Sequence, residues 1–438
     1  MLGGSESELA TPEEERGRLK LAFSALEIPV FRWWFFAQTL SGSGTTTQGI
    51  ALSWLVLRLS GNGIALGGVT ACVFGPILFG GAWAGSLVDR VDRRRILIVT
   101  QLSFIAISST LGVVTLLGAA RLWMVFVGAL LGGCVNALDQ PARMIYVIEL
   151  VGHDRTANAI SLNEVVINLS RVVGPAVGGA LLATSGVSGC FLFNAATFIP
   201  PLLVLLRFPP AEHMTRAPRE PGAIRLGFHF AWSMPAIRST LILAVAGGML
   251  FNLGVTLPLV DTRVFHLGAG SFALMMGAFG AGAIVGATVA AAGSPDPSGR
   301  SVRRLALATG LAVLATALSP DVGVELAGLV VCGFFSIWFI SRANAVAQLR
   351  SPPEMRGRVM GIWTMALPGM SPLSGLANGA VAQEVGAREG FALAGVALVL
   401  GSLLTWRALS DRAATARWSD QIHRSRRRSA APAHPDLG

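Results

Sequence analysis

A chain of 438 residues that is 53% hydrophobic and only 13% charged is not an ordinary water-soluble protein. Its net charge of +10 would suggest nucleic acid in a soluble protein. Here the basic residues sit in loops and tails between apolar runs, so membrane topology accounts for them and no nucleic-acid partner is expected. Nearly all of that charge is arginine, Lys20 being the only lysine. Cys72, Cys134, Cys190 and Cys332 fall inside apolar runs, with no CxxC pair and no Cys/His cluster. They read as small buried hydrophobes, and neither a disulfide framework nor a metal site is predicted.

The first thirty residues read as a cytoplasmic tail. Glu6, Glu8, Glu13, Glu14 and Glu15 precede a weak basic patch, and no apolar segment with a cleavage site follows. A short interfacial helix is expected at Phe23–Pro29. A spanning helix needs about 20 apolar residues, and the chain has room for twelve. Span 1 covers roughly Phe31–Leu57, span 2 Ile64–Val88 and span 3 Ile96–Leu117. Span 4 starts near Trp123 and passes Leu138; span 5 covers Ala157–Ala183 and span 6 Gly189–Leu206. A Pro- and Arg-rich stretch, Arg207 to Arg238, is the longest internal gap and reads as a cytoplasmic linker. Spans 7 to 12 follow at Leu241–Val260, Ser271–Ala292, Leu305–Leu318, Gly323–Ile340, Val359–Val381 and Phe391–Trp406. The expectation is an all-α membrane protein: residues 31–206 and 239–408 form two six-helix halves, and residues 409–438 form a basic cytoplasmic tail.

Arginine bias sets the orientation. One set of loops carries Arg90, Arg93, Arg94 and Arg95, then Arg143 and Arg155, then Arg216, Arg219 and Arg225, then Arg300, Arg303 and Arg304, then Arg350, Arg356 and Arg358. The alternate set carries only Arg58, Arg121, Arg263 and Arg388. Both termini are therefore expected in the cytoplasm. The halves also echo each other: Pro141-Ala142-Arg143 and His153-Asp154-Arg155 flank the span 4–5 loop, as Ser341-Arg342-Ala343 and Glu354-Met355-Arg356-Gly357-Arg358 flank the span 10–11 loop. Duplicated halves are a transporter signature.

The most charged turn, Gly85-Ser86-Leu87-Val88-Asp89-Arg90-Val91-Asp92-Arg93-Arg94-Arg95, lies between spans 2 and 3. A run this charged cannot lie in hydrocarbon. Asp89 and Arg93 are four apart and share a face if that end stays helical. The pattern G-x-L-x-D-R-x-x-R-R resembles the loop between helices 2 and 3 of major facilitator superfamily transporters, except that the usual glycine is here Asp92. Span 5 holds Gly174-Pro175-Ala176-Val177-Gly178-Gly179, which is similar to the antiporter motif of major facilitator drug exporters; its upstream glycines are here Ser161 and Ser170. Phe31-Arg32, Trp54-Leu55-Val56-Leu57, Pro141-Ala142-Arg143, Leu162-Asn163, Arg171-Val172-Val173-Gly174-Pro175 and Arg356-Gly357-Arg358-Val359-Met360 resemble the branch of enterobactin-type siderophore exporters, macrolide efflux pumps and proton-driven multidrug pumps.

That resemblance implies a conformational gate of Gly85, Asp89, Arg90, Arg93 and Asp139. In it Arg93 pairs with Asp139, and Asp89 faces the start of span 11 near Val359–Gly361. On spacing alone, Asp139 merely neutralises Arg143 four residues on, and both readings stand. The resemblance also implies a cavity between spans 1, 4, 7 and 10. Its candidate lining is Gln38, Thr45, Gln48, Asn168, Asn252 and Trp338, although each of these residue types also serves in ordinary interhelical hydrogen bonds. Glu164 and Arg171 lie seven residues apart on one face of span 5. Ionisable groups inside spans are costly and mark proton paths, so this pair is the candidate for proton coupling, with a structural ion pair as the plain alternative. No G-x-x-x-x-G-K-[ST], Ser/His/Asp or HExxH arrangement occurs, so neither ATP-driven transport by this chain nor an enzyme is expected.

The function implied is proton-coupled export of a small amphipathic molecule, a drug, antibiotic or siderophore, across a bacterial cytoplasmic membrane by alternating access. The proton gradient is the energy source, no cofactor is expected, and the partners are substrate, protons and membrane lipid around a functional monomer. A lipid or metabolite carrier on the same fold and a non-transporting membrane sensor are the alternatives.

Overall fold

A computed structural model describes residues 24–152, 155–208, 223–292 and 298–410. Every regular element among them is helical. After a 3-10 turn at Ser24–Glu27, the helices are α1 (Pro29–Ser60), α2 (Gly63–Arg90), α3 (Arg93–Leu116), α4 (Leu122–Val151), α5 (Thr156–Thr184), α6 (Gly186–Thr197), α7 (Ile199–Arg207), α8 (Ala223–Ser233) and α9 (Pro235–Leu250). Then come α10 (Leu253–Arg263), α11 (Ala269–Ala292), α12 (Gly299–Ala317), α13 (Val322–Leu349), α14 (Pro353–Ala366), α15 (Ser371–Glu384), α16 (Ala387–Leu404) and α17 (Trp406–Ser410). Among the described residues eight stretches are long and apolar enough to cross a membrane by themselves. Twelve spans result when α6–α7, α9–α10 and α14–α15 are taken as broken spans 6, 7 and 11.

The boundaries follow local chemistry. Pro29 opens α1, where its missing N–H is not needed. Gly61 ends α1 at φ 62°, a left-handed conformation that a side chain disfavours, and the Asn62 side chain then accepts the Ile64 N–H to start α2. The Asp321 carboxylate accepts from Gly323 N and Val324 N at the start of α13. Spans 7 and 11 break where an apolar run contains Asn252 and Pro368-Gly369; a Cβ on Gly248 would lie 2.7 Å from Leu367 O, so the two breaks meet backbone to backbone.

Two differences from the sequence expectation concern length. Within the stretch read as linker, Ala223–Ser233 is helical, while residues 209–222 lie outside the described residues. The helix of span 7 runs on past Val260 to Arg263 and so takes in Asp261. The expected interfacial helix near Phe23 is a 3-10 turn docked onto α5: Ala25 N donates to Asn158 Oδ1 at 2.9 Å, and Arg155 Nη1 donates to Ser24 O at 2.8 Å.

The chain forms two compact units. The first holds α1–α7 with α10, α11 up to Ala281, α15 and α16 up to Gly390. In it α1 lies on α5 and α6, α2 on α4 and α15, α3 on α4, α6 and α7, and α10 on α1, α2 and α15. One apolar core gathers Phe31, Trp34, Leu97, Tyr146, Leu162 and Leu205, with Trp34 and Tyr146 edge-on at 4.9 Å. The second unit holds α8, α9, the rest of α11, α12–α14, the rest of α16 and α17, around Ile237, Leu243, Phe339, Trp363 and Leu398. Large apolar side chains also point outward, Phe79 at 84% and Leu404 at 82% exposure, as a chain bathed in lipid requires. Lipid tails are as apolar as leucine, so close packing and interhelical hydrogen bonds, rather than escape from water, hold these helices together.

Candidate functional site

The charged turn is a helix-to-helix junction. α2 ends at Arg90, and Asp92 caps α3, its side chain accepting from Arg94 N at 2.9 Å. That cap explains why an aspartate stands where the resembled pattern has glycine: Val91-Asp92 alone make the turn, and the carboxylate satisfies a free amide of α3. Asp89 and Arg93 are therefore on different helices and share no helical face, which corrects the expectation from their spacing. Arg94 donates through Nε to Leu205 O at 2.7 Å and through Nη2 to Leu206 O at 3.0 Å, a cation closing the C-terminal end of span 6. Gly85 is buried and Arg90 exposed; the side chain of Asp89 lies outside the described residues.

Arg93 does not reach Asp139. Its Nη1 lies 3.8 Å from Glu149 Oε1, both side chains nearly dry at 12% and 3% exposure. Asp139 sits ten residues earlier on α4, about 15 Å farther along the helix axis, out of range of a side chain rooted at the first residue of α3. Asp139 instead holds Arg143 Nη2 at 2.6 Å and accepts from Thr100 Oγ1 at 2.7 Å and Gln101 Nε2 at 3.0 Å. Arg143 also donates through Nη1 to Gln38 Oε1 at 3.0 Å. Gln38, Thr100, Gln101 and Asp139 are all at most 4% exposed, whereas the Arg143 side chain is 30% exposed. Spans 1, 3 and 4 thus share one buried charged cluster with a single accessible corner.

The other candidate residues divide sharply. Gln48 is committed: its Oε1 accepts from Ser108 Oγ and Asn194 Nδ2, each at 2.7 Å, tying spans 1, 3 and 6. Thr45 is exposed and donates back to Ser41 O of its own helix at 2.9 Å. Asn252, buried at the break in span 7, donates to Ser374 Oγ of α15 at 2.8 Å. Trp338 differs: it sits edge-on to Phe334 at 5.4 Å, and its buried Nε1 has no hydrogen-bond partner. Glu164, Asn168 and Arg171 all lie on α5, and their side chains lie outside the described residues.

The glycines of span 5 face specific neighbours. A Cβ on Gly174 would meet Thr46 Cβ at 2.5 Å, one on Gly178 would meet Ile50 Cδ1 at 3.3 Å, and one on Gly179 would meet Ala273 Cβ at 2.7 Å. α5 remains helical through Pro175, and Thr47 Oγ1 donates to Gly174 O at 2.9 Å, so spans 1 and 5 are joined at the motif itself. Upstream, Ser170 fills the space beside Gly42; its hydroxyl donates to Val166 O of its own helix at 2.8 Å and lies 3.3 Å from Thr39 O.

Three buried acids escaped sequence reasoning: Glu149, Asp261 and Glu325, the last in the first turn of α13. Glu149 looks like part of a helix end, and Asp261 is hidden in the run Pro258-Leu259-Val260-Asp261 beside Arg263, whose charge suggested a loop. Among the described residues no group of three or more His, Cys, Asp or Glu is placed to hold a metal ion.

The family model for transmembrane secretion effectors matches residues 20–427. The chain belongs to that family, within the major facilitator superfamily. This secretion-effector chain is 26% identical over 389 residues to the staphyloferrin A transporter of Staphylococcus aureus, covering 84% of this chain and 93% of that one. It is 28% identical to the multidrug efflux pump Tap of Mycolicibacterium fortuitum, covering 84% and 92%, and 27% identical to the enterobactin exporter EntS of Citrobacter koseri, covering 77% and 81%. The fold is shared with solved structures of a D-xylose–proton symporter (TM-score 0.68, 15% identity, 87% and 98% covered) and of the nucleoside transporter NupG (TM-score 0.64, 13% identity, 87% and 100% covered). The secretion-effector chain is therefore a multi-pass membrane transporter of a small molecule and not an enzyme.

Proposed function

We propose that this transporter exports a small amphipathic molecule of the siderophore, antibiotic or drug class from the cytoplasm in exchange for protons, by alternating access in a bacterial cytoplasmic membrane. The arginine-rich loops face the cytoplasm, both termini with them, and the arginine-poor loops face outward. A monomer suffices, since a major facilitator fold carries both gates in one chain.

The observation that carries this reading is the charged cluster of spans 1, 3 and 4. Ion pairs are expensive within a membrane and are kept there for ion or substrate pathways. The accessible corner of Arg143, beside a carboxylate already held by Thr100 and Gln101, suits a group that meets cargo or protons during the cycle. The relatives that carry siderophores and drugs set the substrate class. Glu164 and Arg171 of α5 are assigned to proton coupling, and Trp338 with its unspent N–H to the substrate cavity.

Everted membrane vesicles energised to an acidic lumen test this reading. Siderophores, macrolides and cationic dyes are added in turn, and collapse of the pH gradient is followed. Collapse by the native chain that is lost in Glu164→Gln supports proton-driven export. Substrate uptake into the vesicles with no proton movement removes proton coupling from the mechanism, and full activity in Glu164→Gln removes Glu164 from it.

A further inference from the structure

We infer that Asp261 is a proton-binding site in the gate at the arginine-poor end of the first unit, and that the closed gate is the protonated one. The gate is visible in the hydrogen bonds of Arg263, two residues on. Its Nη2 donates to Gly61 O at 2.7 Å and to Gln383 Oε1 at 2.6 Å, and its Nη1 to Ala382 O at 3.2 Å. Gln383 Oε1 also accepts from Gly63 N at 3.0 Å. One guanidinium thus ties the α1–α2 turn to α10 and α15. Beneath it the helices touch through glycine: a Cβ on Gly63 would lie 2.6 Å from Gly379 O, and one on Gly67 2.6 Å from Gly375 O. No water column fits between backbones that close.

Asp261 occupies the last turn of α10, fully buried. Ser271 Oγ is within hydrogen-bonding distance of both Asp261 Oδ1 and Gly268 O, the latter at 2.7 Å. Gly268 O accepts only. A hydroxyl brings one hydrogen, which is either shared between the two acceptors or joined by a second on Oδ1 that donates to Ser271 Oγ; the burial of Asp261 without a cation selects the second, a neutral carboxyl. The remaining oxygen, Oδ2, is buried without a partner. As the carbonyl of a neutral acid it is a tolerable orphan; as half of a carboxylate it would be an uncompensated buried anion.

Among the described residues no neighbouring cation offers an alternative. On its own element the Arg263 guanidinium is spent on Gly61, Ala382 and Gln383, and His266 is exposed against Thr262 O. α1 presents the exposed Arg58, the first two turns of α2 and of α11 carry no titratable side chain, and α15 presents Gln383 and the exposed Glu384. Asp261 makes no ion pair among the described residues. Opening the gate admits water, and a hydrated carboxyl releases its proton there. The balance is one proton taken from water at that end onto Oδ1 on closing and returned to the same side on opening. With the arginine-poor end outward, as proposed above, external acidity closes the outer gate.

Double electron–electron resonance between spin labels at Leu59→Cys and Val385→Cys tests this, in a background with the four native cysteines replaced by alanine. In nanodiscs both faces see the same pH, so the result does not depend on orientation, and a Glu164→Gln background keeps it separate from the coupling assigned above. The closed-to-open ratio is expected to fall about tenfold per pH unit as pH rises, the slope of a single proton. Asp261→Asn, which cannot ionise, is expected to stay closed across the series. Ser271→Ala, which removes the acceptor for the carboxyl proton, is expected to move the midpoint to lower pH. A distance distribution that ignores pH in the native chain, or pH dependence unchanged in both variants, overturns the assignment.

Discussion

At its arginine-rich end the first unit is held by charge and capping; at its arginine-poor end it is held by contact between backbones. The first end has Arg93 against Glu149, Arg94 on the carbonyls of span 6 and Asp92 capping α3. The second has Gly63 and Gly67 pressed on Gly379 and Gly375, with a single guanidinium above them. Charged side chains can exchange one partner for another as helices shift. A glycine contact has no side chain to rearrange, so it is either made or lost. One end is therefore tuned by chemistry and the other by volume.

The comparison can be broken, most severely at its buried charge. Asp139→Ala leaves Arg143 without its anion and is expected to cost about 3–5 kcal/mol of stability, read by chemical unfolding in detergent; a loss under about 1 kcal/mol would mean that the pair is weakly held. Next, Gly67→Val forces a side chain onto Gly375 O and is expected to cost about 1–3 kcal/mol of the closed arrangement. That cost lowers the closed-to-open ratio roughly 5- to 150-fold, measurable as loss of the short distance between spin labels at Leu59→Cys and Val385→Cys. Asp92→Ala removes the α3 cap and is expected to cost about 1 kcal/mol, while Asp92→Gly, which restores the residue usual in the resembled motif, costs a few tenths. Arg95→Ala comes last: it removes a 3.8 Å contact with Asp92 from a side chain that is 82% exposed, and stability should stay within about 0.5 kcal/mol.

Apolar runs made the spans legible, because a segment that must cross lipid has to announce itself over its whole length. The i, i+4 spacing of Asp139 and Arg143 was legible for a similar reason, since two residues a turn apart on one helix need no knowledge of the fold. Pairs between helices were not. Arg93 found Glu149 because the α2–α3 junction and the phase of α4 fix which acid it meets, and neither is written locally. The breaks at Asn252 and at Pro368-Gly369 lie inside runs apolar enough to read as single spans. Asp261 was masked by its neighbours: an acid beside an arginine at the edge of an apolar run looks like the start of a loop, and only the packing of α10 on α1, α2 and α15 turns it into a buried group.

The docking of the Ser24–Glu27 turn onto the start of α5 bears on biosynthesis. Arg155 reaches Ser24 across 131 residues and Ala25 reaches Asn158 across 133. At a synthesis rate of about 5–20 residues per second, the turn waits on the order of ten seconds after leaving the ribosome before its partners exist. Span 1 is thus inserted with its leading end unanchored while spans 2, 3 and 4 follow it into the membrane, and its trailing end waits longer still, for partners 202 and 320 residues away on α10 and α15.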